Sequence, residues 1–215
     1  MKGLFITFEG PDGSGKTTQM RRLVERLQAK GESVVVTREP GGTPIGDRIR
    51  ELLLSPDHKE MEDQTEVLLY AASRAQHVRE VIVPALEAGN IVVCDRFVDA
   101  SIAYQGYGLG LKPGTVADIN RFATGGLQPD RTYLLDVPVS VSRERLLLRA
   151  GAAGGTALDR IEQKESAYHE RVREGFLLIA SNEPQRVLRI DADQGVDDIA
   201  AIIEADCDRL LLAKR

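Results

Sequence analysis

Apolar residues occur along the chain in two kinds of spacing. Short, nearly continuous apolar runs predict five buried strands, at residues 4–8, 33–37, 91–94, 132–135 and 186–190. Apolar positions three or four residues apart predict helices from residue 16 to a stop at Gly31, and over 44–54, 63–88, 113–124, 138–149, 159–181 and 196–212. Strands that are apolar on both faces and alternate with helices are typical of a parallel sheet covered by helices on both sides. We therefore predict a three-layer α/β fold with about five strands.

Composition and charge limit the classes of protein to which the chain can belong. A chain of 215 residues with 42% hydrophobic residues is long enough for one sizeable core, so we expect one domain spanning residues 1–215. The net charge of −5 and the lack of tryptophan argue against binding to nucleic acid or to an anionic membrane. No apolar run approaches the roughly 18 residues of a membrane span, and no secretion signal is visible. We expect a cytoplasmic protein.

A glycine-rich loop joins the first predicted strand to the first helix. Residues 10–17, with the sequence GPDGSGKT, match the pattern G-x-x-x-x-G-K-[ST] in the strand-to-helix context that this pattern requires. Backbone N–H groups of such a loop cradle phosphates, Lys16 reaches the β- and γ-phosphates, and the Thr17 hydroxyl can ligate Mg²⁺. The alternative is a glycine-rich turn with an incidental lysine. We predict a P-loop NTPase fold whose triphosphate site is built from Gly10, Pro11, Asp12, Gly13, Ser14, Gly15, Lys16, Thr17 and Thr18.

A pair of charged residues, Asp95 and Arg96, follows the strand predicted at residues 91–94. Asp95, at the end of a buried strand near the loop, is well placed to hold Mg²⁺ or its waters. Arg96 beside it is costly near a cation unless it binds an anion, so the pair predicts a site for a metal and a second phosphate. The alternative is a salt-bridged strand end. The Asn-Lys-x-Asp segment by which GTPases recognise guanine is absent from the sequence.

Several segments together resemble the thymidylate kinase family. They are FEGPDGSGKTT (8–18), TREPGGT (37–43), YAASRAQHV (70–78), DRF (95–97), SIAYQG (101–106) and LDRIE (158–162), in the family's order over about residues 3–182. The first segment is shared by many families, whereas the second and third are far more specific. The resemblance implies transfer of a phosphoryl group from ATP to dTMP with Mg²⁺, giving dTDP, by an enzyme that forms homodimers.

The resemblance also implies roles for residues of the acceptor site. Arg96, helped by Arg38 or Arg50, would hold the dTMP phosphate, and Arg74 would donate a hydrogen bond to the thymine carbonyl edge. Tyr70 takes a position where the family usually stacks a phenylalanine on the base, although a lone tyrosine at helical spacing can equally be core. Asp12 could reach the sugar 3′-hydroxyl or a metal-bound water. Further substrate contacts are expected from Glu39, Phe97, Ser101, Tyr104 and Gln105.

The family closes a lid over ATP, and the corresponding segment is about residues 149–160. One branch of the family carries its catalytic arginine inside the P-loop, where this chain has Gly13. The other branch carries basic residues in the lid, but residues 150–158 contain none. Arg149 is therefore the expected catalytic arginine and Arg145 a second ATP contact, with Arg145 or Arg160 next in line for the catalytic role. Alternatively, Arg145 and Arg149 form only a solvated helix face. Asp159 and Glu162 would anchor the lid or approach the substrate.

Two other functions stay open at this point. A deoxynucleoside kinase of the same fold would phosphorylate a sugar hydroxyl and would need a carboxylate base, for which Glu9 or Glu39 could serve. A non-catalytic nucleotide sensor would bind ATP only to switch a partner. Arg96 and the lid pattern fit a phosphate acceptor better than a hydroxyl.

Overall fold

A parallel β-sheet forms the centre of the computed structural model, which describes residues 3–152 and 158–214 without the side chains of residues 149, 150 and 152. Within this described part, five strands lie in the order β2-β3-β1-β4-β5, and every pairing is parallel. The strands are β1 (Leu4–Glu9), β2 (Val34–Arg38), β3 (Ile91–Asp95), β4 (Arg131–Asp136) and β5 (Val187–Asp191). The predicted α/β fold with five parallel strands is confirmed.

Helices cover both faces of this sheet. They are α1 (Lys16–Ala29), α2 (Pro44–Leu54), α3 (Asp63–His77), α4 (Val83–Glu87), α5 (Val98–Ser101), α6 (Pro113–Thr124), α7 (Val139–Ala152), α8 (Ser166–Asn182) and α9 (Val196–Lys214). π-Helical turns occur at Val78–Ile82 and Ile102–Gly108. No helix in the described residues is both long and apolar enough to cross a membrane.

Most predicted helices agree with these bounds, and the differences have local causes. The helix predicted from residue 159 begins only at Ser166, because the Asp159 carboxylate accepts the N–H groups of Ile161 and Glu162 and fixes a separate turn. The helical segment from Val98 to Gly108 was not predicted. Its residues at 103–106 are all buried, so it lacks the one-sided apolar pattern that identifies a surface helix.

The order of the strands decides where functional loops can meet. The central strand β1 pairs with β3 in the register that sets Phe8 opposite Asp95. The residues that follow these two strands, including the glycine loop and Arg96, therefore emerge side by side at the carboxyl edge of the sheet. In open α/β sheets this edge is where ligands bind.

Candidate active site

Three glycines shape the loop between β1 and α1. Gly10, Gly13 and Gly15 have φ values of 131°, 79° and 93°, in the region that residues with a side chain rarely adopt. A Cβ atom on Gly10 would lie 2.3 Å from the carbonyl oxygen of Leu135, and one on Gly13 would lie 2.7 Å from that of Ser142. The Ser142 hydroxyl also donates to the Asp12 carbonyl at 2.6 Å. The loop is thus held in one shape by the start of α7.

Positive charge lies inside this loop. The Lys16 side chain is buried, and its ammonium donates to the carbonyl oxygens of Gly10 (3.0 Å) and Pro11 (2.9 Å). Burial, followed by the nearby Arg96 charge, lowers the pKa of Lys16. An anion bound in the loop would relieve both effects, since it would solvate the ammonium and offset the second cation.

The loop also carries polar atoms that suit a triphosphate and its metal. The Ser14 Oγ and Asp95 Oδ1 atoms are buried without a hydrogen-bond partner among the described residues. Thr17 is exposed in the first turn of α1. A hydroxyl and a carboxylate oxygen are ligands that Mg²⁺ prefers, so these residues fit the predicted magnesium complex of a nucleotide.

A cleft opens beside the loop. Ten of the residues that the sequence assigns to the site line it: Asp12, Glu39, Arg50, Tyr70, Arg74, Arg96, Ser101, Tyr104, Gln105 and Asp159. Pro40, Leu54, Ala100 and Ile161, which the sequence analysis did not assign, complete the wall. The cleft and the loop are therefore one continuous candidate site.

Arg96 stands where the loop and the cleft meet. Its Nη2 atom donates to Asp12 Oδ1 at 2.8 Å and to the Tyr104 hydroxyl at 3.0 Å, and its guanidinium lies 4.8 Å from the centroid of the Tyr104 ring. Burial opposes its charge, but Asp12 and the other acidic groups around it outweigh burial and raise its pKa well above the usual value. Arg96 is therefore a permanent cation, and its Nη1 atom is buried without a partner in the described residues.

Arg74 forms the inner wall of the cleft and is completely fixed. Its Nε atom donates to Glu39 at 2.6 Å, Nη1 donates to Ser101 at 2.9 Å and to Asn120, and Nη2 donates to the Phe97 carbonyl at 3.0 Å. These contacts use four of its five N–H groups. The side chain is almost fully buried. It is a rigid donor rather than a mobile surface charge.

A buried histidine supports this arginine from behind. Glu39 binds Arg74 with one carboxylate oxygen and accepts from His77 Nδ1 at 2.9 Å with the other. His77 Nε2 lies 2.6 Å from the Thr37 hydroxyl. Both carboxylate oxygens of Glu39 are thus hydrogen-bonded, which disfavours a role as a catalytic base.

At the end of the predicted lid, the Arg160 side chain binds other residues of the chain. It is buried, donates to the Leu53 carbonyl at 2.8 Å, and pairs with Glu66 at 2.7 Å. Glu66 also accepts from Gln105 at 2.9 Å. Asp159 lines the cleft, and burial raises its pKa. Arg160 therefore stabilises the cleft wall, and these contacts disfavour its alternative role as the catalytic arginine.

Five predicted site residues lie away from the cleft lining or outside the described side chains. Arg38 is exposed and pairs with Asp47 at 3.1 Å, while Phe97 is buried beneath Arg74. Glu162 accepts from the Asp159 N–H at 3.0 Å. Arg145 lies against the loop at Gly13 and contacts Asp193 at 3.2 Å. The side chain of Arg149, and residues 153–157 of the predicted lid, lie outside what the structure describes. These roles stay predictions.

The sequence did not reveal that two further residues, Glu9 and Asn120, hold parts of the site in place. Glu9, a candidate base for a deoxynucleoside kinase on sequence grounds, is fully buried and binds the N–H groups of Phe97 and Ala100. A lone carboxylate between an apolar strand and the glycine loop was the available signal. Asn120, which binds Arg74, sits in a helix whose sequence pattern gives no hint of that contact.

The fold and the loop define the class: this is a P-loop nucleotide-binding protein, with the partly buried cation of Arg96 beside the loop. Residues 8–203 match the family model described as thymidylate kinase. Relatives named thymidylate kinase include those of Exiguobacterium sibiricum (57% identity over 93% of this chain and 91% of the relative), Geotalea uraniireducens (51%, 94% and 95%) and Geobacter sulfurreducens (49%, 94% and 94%). The chain belongs to the thymidylate kinase family.

The buried Glu9 gives a pH-dependent stability. Burial, with a smaller contribution from Asp99, raises the pKa of Glu9 from 4.5 to about 8. Between these values the folded state holds a proton that the unfolded state releases, so this group's contribution to stability falls as the pH rises through that window. Glu9→Gln removes this ionisation. The gain in unfolding free energy of the variant over wild type should therefore be larger at pH 8 than at pH 5, by on the order of 3 kcal/mol.

Denaturant unfolding of wild type and Glu9→Gln at pH 5, 6.5 and 8 measures this difference. A difference in unfolding free energy that stays constant over the three pH values would contradict a protonated Glu9.

Proposed function

We propose that the protein transfers the γ-phosphoryl group of ATP to the phosphate of dTMP, giving ADP and dTDP. One observation carries this proposal: Asp12 lies between two cations, 3.9 Å from the ammonium of the buried Lys16 and 2.8 Å from the guanidinium of the partly buried Arg96. Lys16 belongs to the triphosphate loop and Arg96 to the neighbouring cleft. Two phosphorylated ligands held by these cations would face each other across Asp12.

The reaction requires mainly positioning and charge neutralisation. The dTMP phosphate is already a nucleophile at neutral pH, so no base has to remove a proton from it. Lys16 would hold the donor phosphates and Arg96 the acceptor phosphate, and their charges would stabilise the negative charge that spreads over the transferred group. Thr17 and Asp95 would hold Mg²⁺, which when bound neutralises phosphate charge.

The cleft suits a pyrimidine deoxynucleotide. The remaining Nη2 N–H of Arg74 is available for a carbonyl of the base, and Tyr70 lines the same wall for stacking. Ser101 and Gln105 border the base region. Tyr104, held by Arg96, would fill the space that a ribose 2′-hydroxyl needs, which favours a deoxyribose. Asp12 would accept from the sugar 3′-hydroxyl.

The contacts of the carboxylates favour a phosphate acceptor over a sugar hydroxyl. A deoxynucleoside kinase would need Glu9 or Glu39 as a base. Both oxygens of Glu39 are bound, by Arg74 and His77. Glu9 is fully buried and is not among the residues that line the cleft. Neither carboxylate is available to a 5′-hydroxyl in the cleft.

The remaining parts of the proposal concern the lid and the chain as a whole. Residues 149–160 would close over ATP and exclude water, with Arg149 as the catalytic arginine and Arg145 beside the loop as an ATP contact. Asp159 and Glu162 would end this lid at the cleft. The chain would act as one kinase domain, residues 1–215, in cytoplasmic nucleotide biosynthesis.

We also propose a homodimer formed through α2, α3 and α6. Helix α3 packs against both neighbours. Large apolar side chains point outward on all three helices: Ile45 and Leu52 on α2, Leu68 on α3, and Phe122 on α6, the last 91% exposed. An outward face with several large apolar groups is typical of a protein–protein interface.

Lys16→Met should abolish turnover and leave the fold intact. The change removes the loop's own cation and its hydrogen bonds to the Gly10 and Pro11 carbonyls, while the glycines and the Ser142 contact that shape the loop remain. Release of ADP would be followed in a coupled assay with dTMP, with thymidine and with neither. Wild type should respond to dTMP alone; a response to thymidine would favour a deoxynucleoside kinase, and no response to either would favour a nucleotide sensor.

Arg74→Lys should raise the KM for dTMP at least tenfold and leave that for ATP within about threefold. Lysine keeps the charge but cannot reproduce the planar set of donors to Glu39, Ser101 and Phe97. Steady-state kinetics with each substrate varied in turn would measure this. An unchanged KM for dTMP would remove Arg74 from the acceptor site.

Phe122→Glu should convert the proposed dimer into a monomer, because it places a charge in the centre of an apolar contact. Light scattering coupled to size-exclusion chromatography measures the mass. Arg121→Glu is a matched control on the same helix, since Arg121 is exposed and pairs with Asp118 within that helix. A wild-type monomer, or a dimer that survives Phe122→Glu, would contradict this interface.

A further inference from the structure

The last residue of β1 connects the donor loop to the acceptor cleft. Glu9 is fully buried, and its Oε1 atom accepts the N–H groups of Phe97 at 2.7 Å and of Ala100 at 3.3 Å. These N–H groups begin the segment of residues 97–108 that also carries Ser101 and Tyr104. One carboxyl thus joins the strand that enters the glycine loop to the segment that lines the cleft.

The residue just before this segment has an unusual backbone. Arg96 has a φ of 68°, in the left-handed region that residues with a Cβ atom adopt only when their surroundings force them to. Hydrogen bonds fix the peptides on both sides of it. The Arg96 N–H donates to the Phe8 carbonyl at 2.9 Å, and the following N–H, of Phe97, donates to Glu9. Both anchors are provided by the end of β1.

The direction of the Arg96 side chain depends on this backbone. From the left-handed conformation the guanidinium reaches Asp12 at 2.8 Å and Tyr104 at 3.0 Å, at the border between loop and cleft. If the Phe97 anchor is lost, the peptide after Arg96 can relax toward a conformation that any residue adopts. The guanidinium would then leave its place beside Asp12.

We propose that Glu9 is a positioning residue for the phosphate acceptor: by binding the Phe97 and Ala100 N–H groups it holds Arg96 in the strained conformation that aims its guanidinium at the acceptor phosphate. The inference rests on the proposed function, since it takes Arg96 to bind that phosphate. Within the described part of the chain, Glu9 makes no hydrogen bond to the loop that would hold the donor phosphates: its Oε1 atom binds the Phe97 and Ala100 N–H groups, and its Oε2 atom has no partner. Its loss should therefore weaken the acceptor side selectively.

Three substitutions at Glu9 separate its possible contributions. Glu9→Gln keeps an amide oxygen that accepts from Phe97, Glu9→Leu removes the acceptor at similar volume, and Glu9→Asp keeps the carboxyl but shortens it by one methylene group. Asp206→Asn is the control, because Asp206 is also a buried carboxylate but pairs with Arg131 and Arg209 below β4, away from the site.

The KM values for dTMP and for ATP, kcat and the melting temperature would be measured for all five proteins. Glu9→Leu should raise the KM for dTMP at least tenfold and Glu9→Asp severalfold, with the KM for ATP within threefold of wild type. Glu9→Gln should stay within threefold for both substrates. Asp206→Asn should lower the melting temperature without separating the two KM values. Should Glu9→Leu fail to fold, the Glu9→Asp and Glu9→Gln pair decides.

Equal increases in both KM values, or an unchanged dTMP KM in Glu9→Leu and Glu9→Asp, would overturn the positioning role. So would a loss in Glu9→Gln as large as that in Glu9→Leu, because it would mean that the acceptor bond is not what matters. A wild-type protein without dTMP-dependent turnover would instead overturn the proposed function, and the acceptor on which this inference rests would go with it.

Discussion

The structure depends on keeping two like charges close together at the edge of a sheet. Lys16 is buried and Arg96 is partly buried, and the Arg96 charge disfavours the charge of Lys16. Asp12 between them, with Asp95 nearby, compensates part of this repulsion. The arrangement is costly for an empty protein and favourable for one that binds phosphates. It explains why a chain with a net charge of −5 keeps two cations together beside the glycine loop.

The acceptor cleft is rigid on one side because its polar groups are saturated by one another. Arg74, Glu39 and His77 form a buried chain of hydrogen bonds that ends at Thr37 on β2. A side chain with its rotamer fixed in this way loses little entropy when a ligand binds. Selectivity for a base can then come from a single donor in a defined place, as expected where a buried polar group must find its partner.

The sequence predicted the sheet, the glycine loop and most of the cleft lining, but not the contacts that support them. Continuous apolar strands and the loop pattern are local properties, so they are visible in the order of residues. The contact of Asn120 with Arg74 joins residues 46 positions apart and follows from packing alone. The helical segment after Arg96 was missed for a related reason, since burial on all sides removes the periodicity that identifies a helix.

The packing of α7 on the glycine loop restricts how the chain can supply its catalytic cation. A side chain at position 13 would collide with the Ser142 carbonyl, and Arg145 and Leu146 lie just behind it. An arginine at that point, which the sequence analysis considers as the alternative source of the catalytic cation, would displace the first turns of the helix. The conformation of the phosphate loop and the position of α7 are therefore coupled, so a change at residue 13 has to be accommodated by the helix as well as by the loop.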